Sequence, residues 1–157
     1  MFPSGLGIDR RLSMGNFARG TGSLMGLVVF AGLMIPLSDK AMADSCWDHN
    51  GSLMRLQAQG NQRWLSYEIP RDVLRPAGVQ RGTLLFNGVK NGNWYSGTAR
   101  VFSKFCPGSP LEYSVEGPVR GDQLQVTVSG SREVFNQCRP TGQYTSDTLV
   151  FTFSHDC

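Results

Sequence analysis

Leu111-Glu112-Tyr113-Ser114-Val115-Glu116-Gly117 is the stretch on which the fold turns. Its apolar side chains alternate with polar and charged ones. A period of two puts Leu111, Tyr113 and Val115 on one face and Glu112, Ser114 and Glu116 on the other, the pattern of a strand with one buried side. A helix would gather residues three and four apart, and here that spacing mixes Tyr113 with Glu116. The same alternation recurs in Leu124, Val126 and Val128 against Gln123, Gln125, Thr127 and Ser129, and in Leu149, Phe151 and Phe153 against Val150 and Thr152. Weaker copies are Met54-Leu56-Ala58 and Leu65-Tyr67-Ile69. Arg71–Leu74 has room for one helical turn at most.

Turn-forming residues fall between these runs. Asn50-Gly51 and Asn91-Gly92 suit two-residue hairpins, whose central positions need positive φ. Gly60-Asn61 and Arg120-Gly121-Asp122 fit other tight turns. The pattern predicts strands near 45–49, 52–58, 62–69, 82–89, 93–103, 110–117, 122–135 and 147–154. Short successive connections make an all-β antiparallel meander. Eight such strands can close a small barrel filled by its own side chains; the alternative is a two-sheet sandwich.

The four cysteines test this count. Four allow three pairings. In an up-and-down meander Cys46 opens the first strand and Cys157 follows the last, so both lie at one end. Cys106 follows the fifth strand and Cys138 the seventh, which puts them at the other end. Parity therefore predicts Cys46–Cys157 and Cys106–Cys138.

Residues 1–43 read as an export signal. Arginines precede an apolar run from Leu24 to Leu37, and Ala41-Met42-Ala43 closes it as a small-residue cleavage site. The run is shorter than the roughly 20 residues of a spanning helix and holds Gly26, Gly32 and Pro36, so no retained membrane anchor is expected. Met14 offers a second start. Arg10-Arg11 lies too far from the run for a twin-arginine signal, and Ala43-Asp44 fits a lipid-anchored Cys46 poorly. Residues 44–157 form one domain, destined for the periplasm or secretion, where thiols oxidise. The leader holds four of the 15 basic and two of the 12 acidic residues, which leaves 11 and 10. That near-neutral remainder has no cationic stripe to follow phosphates, so nucleic acid is not an expected partner.

Catalytic signals are sparse. The two histidines, in Asp48-His49 and His155-Asp156, fall at opposite ends of the meander and lack metal-ligand spacing. His155 is in phase with Phe151 and Phe153. No serine sits in a Gly-x-Ser-x-Gly elbow, and Glu112 and Glu116 share a face without a second carboxylate across a cleft. The chain reads as a non-enzyme with no metal and no cofactor. Aromatic and arginine side chains near loops are the candidate partner contacts: Arg71, Arg75 and Arg81 in Pro70–Gly82, Arg139 and Tyr144 in Asn136–Asp147, and Trp64, Trp94 and Tyr95 on strands. Of the adjacent pair Trp94-Tyr95, one faces outward.

Trp47-Asp48-His49-Asn50-Gly51-Ser52, Gly92-Asn93-Trp94-Tyr95-Ser96-Gly97-Thr98-Ala99, Cys106-Pro107-Gly108, Tyr113-x-Val115-x-Gly117 and Cys138-Arg139-Pro140-Thr141-Gly142 with Leu149-Val150-Phe151 resemble a group of small exported proteins of rhizobial-type alphaproteobacteria. The resemblance spans most of 44–157 and implies an exported, intact domain without supplying an activity. Gly92-Asn93-Trp94 is similar to the Gly-x-Trp of calycin barrels, though those carry it on their first strand. In architecture the chain is similar to periplasmic barrel inhibitors of proteases and lysozyme. Tyr95-Ser96-Gly97 is a reversed fragment of the lysozyme inhibitors' Ser-Gly-x-x-Tyr loop.

Three functions follow as expectations. The first is an exported, non-enzymatic binding module, in the form of a hydrolase (protease or lysozyme) inhibitor that meets a secreted or periplasmic protein. The second is a calycin-like carrier of a small apolar ligand, and the third a structural envelope protein. The carrier requires bulky Phe86, Tyr113, Phe151 and Phe153 to leave a cavity between them.

Overall fold

A computed structural model describes residues 43–157; the leader and its cleavage run through Met42 lie outside the described residues. The chain forms β1 (Ala43–His49), β2 (Ser52–Gln59), β3 (Gln62–Ile69), β4 (Leu84–Asn91), β5 (Trp94–Val101), β6 (Leu111–Pro118), β7 (Gln125–Asn136) and β8 (Arg139–Asp156). Each strand pairs antiparallel with the next, and β8 returns to β1, so the sheet is a closed eight-stranded barrel rather than a sandwich. Closure leaves no sheet edge along the barrel wall.

The alternation seen in the sequence becomes the interior. Cross-strand partners run round the wall as Leu56, Leu65, Phe86, Ala99 and Tyr113. A second row holds Trp47, Met54 and Tyr67, and Val126, Val128, Leu149 and Phe151 complete the circuit. All are buried. Phe86 stacks with Tyr95 at 6.1 Å, and Trp47 meets Phe153 edge-on at 5.7 Å. The wall comes close enough to be filled because glycines face inward where strands cross tightly. Gly88 and Gly97 are cross-strand partners; a Cβ on Gly88 would strike the Ser96 carbonyl, and one on Gly97 the Asn87 carbonyl. The Cζ of Phe86 occupies the space above Gly88.

Turn chemistry explains most of the connections. Asn50 and Gly51 both take positive φ (52° and 76°), as a two-residue hairpin of this kind requires. The β4–β5 turn is centred one residue later than expected. Asn91 pairs with Trp94, which leaves Gly92 (φ 56°) and Asn93 as the central pair, with glycine first. Between β3 and β4 a 3-10 turn, Asp72–Ala77, ends at left-handed Gly78. The disulfides are Cys46–Cys157 and Cys106–Cys138, with no free cysteine among the described residues. They fit an oxidising, extracytoplasmic setting.

Two sequence expectations are corrected. Asn136–Asp147 is not a loop: β7 and β8 run on past the barrel rim as a hairpin arm whose tip is Gln137-Cys138. His155 does not continue the inward row of Phe151 and Phe153. A bulge at the β1–β8 seam pairs Trp47 with Phe153 and Cys46 with His155, which turns His155 to the exposed outside.

Candidate functional site

One pole of the barrel gathers the β1–β2 turn, the β3–β4 connection, the β5–β6 loop and the β7–β8 arm. Cys106–Cys138 ties the β5–β6 loop to the arm's tip. Gln137 and Cys138 hold φ of 46° and 66°, a region costly for residues other than glycine. The covalent strap and the β7–β8 ladder fix that turn despite the absence of glycine.

Between loop and arm lies a groove of about 740 Å³, lined by Phe102, Pro110, Leu111, Phe135 and the disulfide, with Arg132 and Glu112 as its charged margin. Both charges are engaged. Arg132 donates to Asp147 at 3.1 Å, and Glu112 accepts from Arg100 at 2.7 Å. Within the lining Phe135 is 39 % exposed; Phe105, adjacent in sequence to the strap's Cys106 but not part of the lining, is 64 % exposed. Lys104 lies over the Phe105 ring at 5.3 Å. Large exposed aromatics of this kind on a rigid frame are typical anchors for a partner.

A smaller polar cavity of about 160 Å³ opens at the barrel mouth, lined by His49, Tyr67, Tyr113 and Asp147 among others. Tyr113 donates its hydroxyl to Asp147 at 2.8 Å, on the oxygen that also accepts from Arg132. Burial, then the Asp147 hydrogen bond, raises the Tyr113 pKa; burial pushes Tyr67 up to about 12. His49 stacks on Phe151 at 4.7 Å, and its Nδ1 donates to the Val150 carbonyl at 2.9 Å. Its pKa is lowered, chiefly by burial, with the nearby Arg71 charge acting in the same direction. The Nδ1–H of His49 is committed to the Val150 carbonyl, while the Asp147 carboxylate is held by Tyr113 and Arg132. Among the described residues no group of three or more His, Cys, Asp or Glu side chains is placed to hold a metal ion, and no helix is long and apolar enough to cross a membrane.

The candidate contacts separate. Arg71, Arg75, Arg81, Arg139 and Tyr144 all belong to the disulfide-strapped pole and are exposed. Arg75 pairs with Asp72 at 2.9 Å and Arg81 pairs with Glu68. The Arg71 stem lies over Gly51, where an added Cβ would meet its Cδ at 3.5 Å. Trp94 points outward but sits at the far pole, beside the β4–β5 turn. Trp64 lies half-buried on the outer face of β3. Tyr95 is corrected: it is 3 % exposed, against Phe86, and belongs to the core because inward parity on β5 falls on Tyr95, Gly97 and Ala99. Phe105 and Phe135 did not emerge from the sequence. Phe105 adjoins a cysteine and Phe135 continues the alternation of β7, but neither position says which aromatics stay uncovered.

Comparison with protein families, with curated proteins and with solved structures finds no match for this chain.

Proposed function

We propose that this protein is a periplasmic or secreted, non-enzymatic binding module that engages a partner protein through the disulfide-strapped pole, with inhibition of an extracytoplasmic hydrolase as its activity. The observation that carries the reading is the groove between the β5–β6 loop and the β7–β8 arm, with Phe135 exposed in its lining and Phe105 exposed next to the strap at Cys106. Rigid strapping supports it, since a loop already held in place loses little entropy when it docks. The chemistry of His49 supports it too, because the buried histidine serves the backbone.

The barrel interior favours a surface site over an internal ligand. Phe86 and Phe151 are fully buried among Met54, Leu65 and Val126, so side chains occupy the space a carried ligand would need. The test is inhibition of a panel of secreted proteases and lysozymes by the oxidised protein, with affinity capture from periplasmic extract. Phe105→Ala and Phe135→Ala should each weaken the interaction by roughly tenfold or more if they are anchors. No inhibition of any hydrolase, or a captured hydrolase whose binding ignores both substitutions, would sink the proposal.

A further inference from the structure

The two disulfides sit in opposite mechanical settings. Cys46 is 3 % exposed and belongs to a ladder on both sides, facing Arg55 on β2 and His155 on β8. With the Cys46–Cys157 bond broken, that ladder still holds Cys46 beside the end of β8. The two thiols would stay face to face at high effective concentration and re-form the bond, so the fold itself protects it from reduction.

Cys106 and Cys138 lack such support. Cys106 lies in the strandless 102–110 loop, and Cys138 is exposed at the tip of the arm. The loop is tied the other way: Gly108 donates its N–H to the Ala77 carbonyl at 3.3 Å, on the β3–β4 side. The arm is anchored at its base. There Gly130 pairs with Asp147, and Asp147 accepts the Tyr113 hydroxyl at 2.8 Å. A Cβ on Gly130 would strike the Ser114 carbonyl, so the base is pressed against β6. Beyond it, residues 131–146 form ladder pairs only with one another.

Between loop and arm lies the groove. Among the described residues the one polar approach across it is the Cys138 sulfur, 3.0 Å from the Phe105 carbonyl oxygen, and that approach belongs to the strap. Reduction would therefore let the two thiols drift apart, and their low effective concentration leaves the bond easy to open. Gln137 and Cys138, at φ 46° and 66°, add backbone strain that a freed tip can relax.

We infer that Cys106–Cys138 is a redox catch: a dithiol reductant opens it while Cys46–Cys157 stays closed, the arm parts from the loop, and the groove loses one wall. Its effect on a partner rests on the groove being the docking site proposed above; the order of reduction does not. One thiolate of the reductant attacks the exposed Cys138 sulfur to give a mixed disulfide, and Cys106 leaves as a thiolate that takes up a proton. The second thiolate of the reductant then displaces Cys138, closes its own disulfide and releases Cys138 as a thiol. Two electrons and two protons reach the protein. The class of reductant that fits is the active-site dithiol of an extracytoplasmic thiol–disulfide reductase.

The test equilibrates the oxidised protein, recovered after expression of the full chain, with dithiothreitol at graded ratios of reduced to oxidised form. Acid quenching, alkylation and peptide mapping then identify the open cysteines. The expected result is a species labelled at Cys106 and Cys138 alone, formed at a ratio roughly tenfold or more below the one that opens Cys46–Cys157. In that species the amides of Glu133 to Tyr144 should exchange roughly tenfold faster while the barrel ladder keeps its protection. Inhibition of any hydrolase that the oxidised protein inhibits should fall, and return on reoxidation. Both disulfides opening at one ratio, or Cys46–Cys157 opening first, overturns the inference. So does a selectively reduced protein whose arm amides stay protected, or one that inhibits as well as the oxidised form. The first two readouts need no partner, so they decide the catch even where no hydrolase is inhibited and the docking reading falls.

Discussion

His49 behaves as an extra rung of the β-ladder. Its ring supplies the donor that β1 no longer offers once the chain turns at Asn50-Gly51, and burial against Phe151 disfavours its charged form. Because the folded state lowers its pKa below the ordinary 6.5, the unfolded chain binds the proton more readily. This contribution to stability is complete above about pH 6.5 and is lost as pH falls through the lower folded value. Urea midpoints should therefore decline between neutral pH and about pH 5. His49→Gln, which keeps a donor without a titrating ring, should flatten that decline. Glu68 and Asp122, whose pKa values are also lowered, act only in the more acidic carboxylate range and leave this window clear. The glycines make a second prediction at this scale. Gly88→Ala and Gly97→Ala each drive a methyl into a backbone carbonyl, and should cost about 1–3 kcal/mol by denaturant titration. By contrast Gly60→Ala meets nothing within 4 Å, so its cost is confined to backbone strain at φ 58°. The sequence showed Gly88 and Gly97 as glycines in strands but not as partners, since only the register of β4 on β5 brings them together.

The two disulfides act on different elements. Cys46–Cys157 spans 111 residues and joins the closing strands; Cys106–Cys138 spans 32 and fastens the arm. Chain-entropy reasoning assigns about 5 kcal/mol to the first and about 4 to the second. The larger difference lies in where the loss appears. Cys46→Ser with Cys157→Ser should lower the cooperative unfolding midpoint of the whole barrel. Cys106→Ser with Cys138→Ser should free the amides of Glu133 to Tyr144 to exchange while the barrel ladder stays protected. Equal loss of protection everywhere in the second variant would show that the arm and barrel unfold as one unit. Strand parity was enough to read this pairing from the sequence, because antiparallel connections alternate ends whatever the details of each strand. The arm itself was hidden. Arg139-Pro140-Thr141-Gly142 carries turn residues, and Gln137-Cys138 lacks the glycine that announces a two-residue hairpin. Its strand character comes from a β7 partner and a covalent strap, neither of which is a local property.

At the scale of the molecule, a small barrel packed to its axis presents rigid ends and little else. Phe86→Ala or Phe151→Ala should cost about 3–5 kcal/mol, since each ring is fully buried and the closed wall has little freedom to collapse onto the space left. Binding should be indifferent to the far pole: Trp94→Ala, on that side, is expected to leave hydrolase inhibition unchanged while Phe135→Ala reduces it. Loss of inhibition in Trp94→Ala at undiminished stability would move the site to the wrong end. What the sequence determined by itself was the repeating pattern: alternating runs and the turns between them that predict eight strands, and four cysteines whose positions admit one parity-consistent pairing. Those features are local or topological, so a one-dimensional reading suffices. The tertiary structure decided the sandwich-or-barrel question, the burial of Tyr95, the outward turn of His155 at a bulge, and the arm with its groove. Each depends on register, on which strand lies beside which and how far each outruns its neighbour, and register is set by packing across the whole sheet rather than by any stretch of sequence alone.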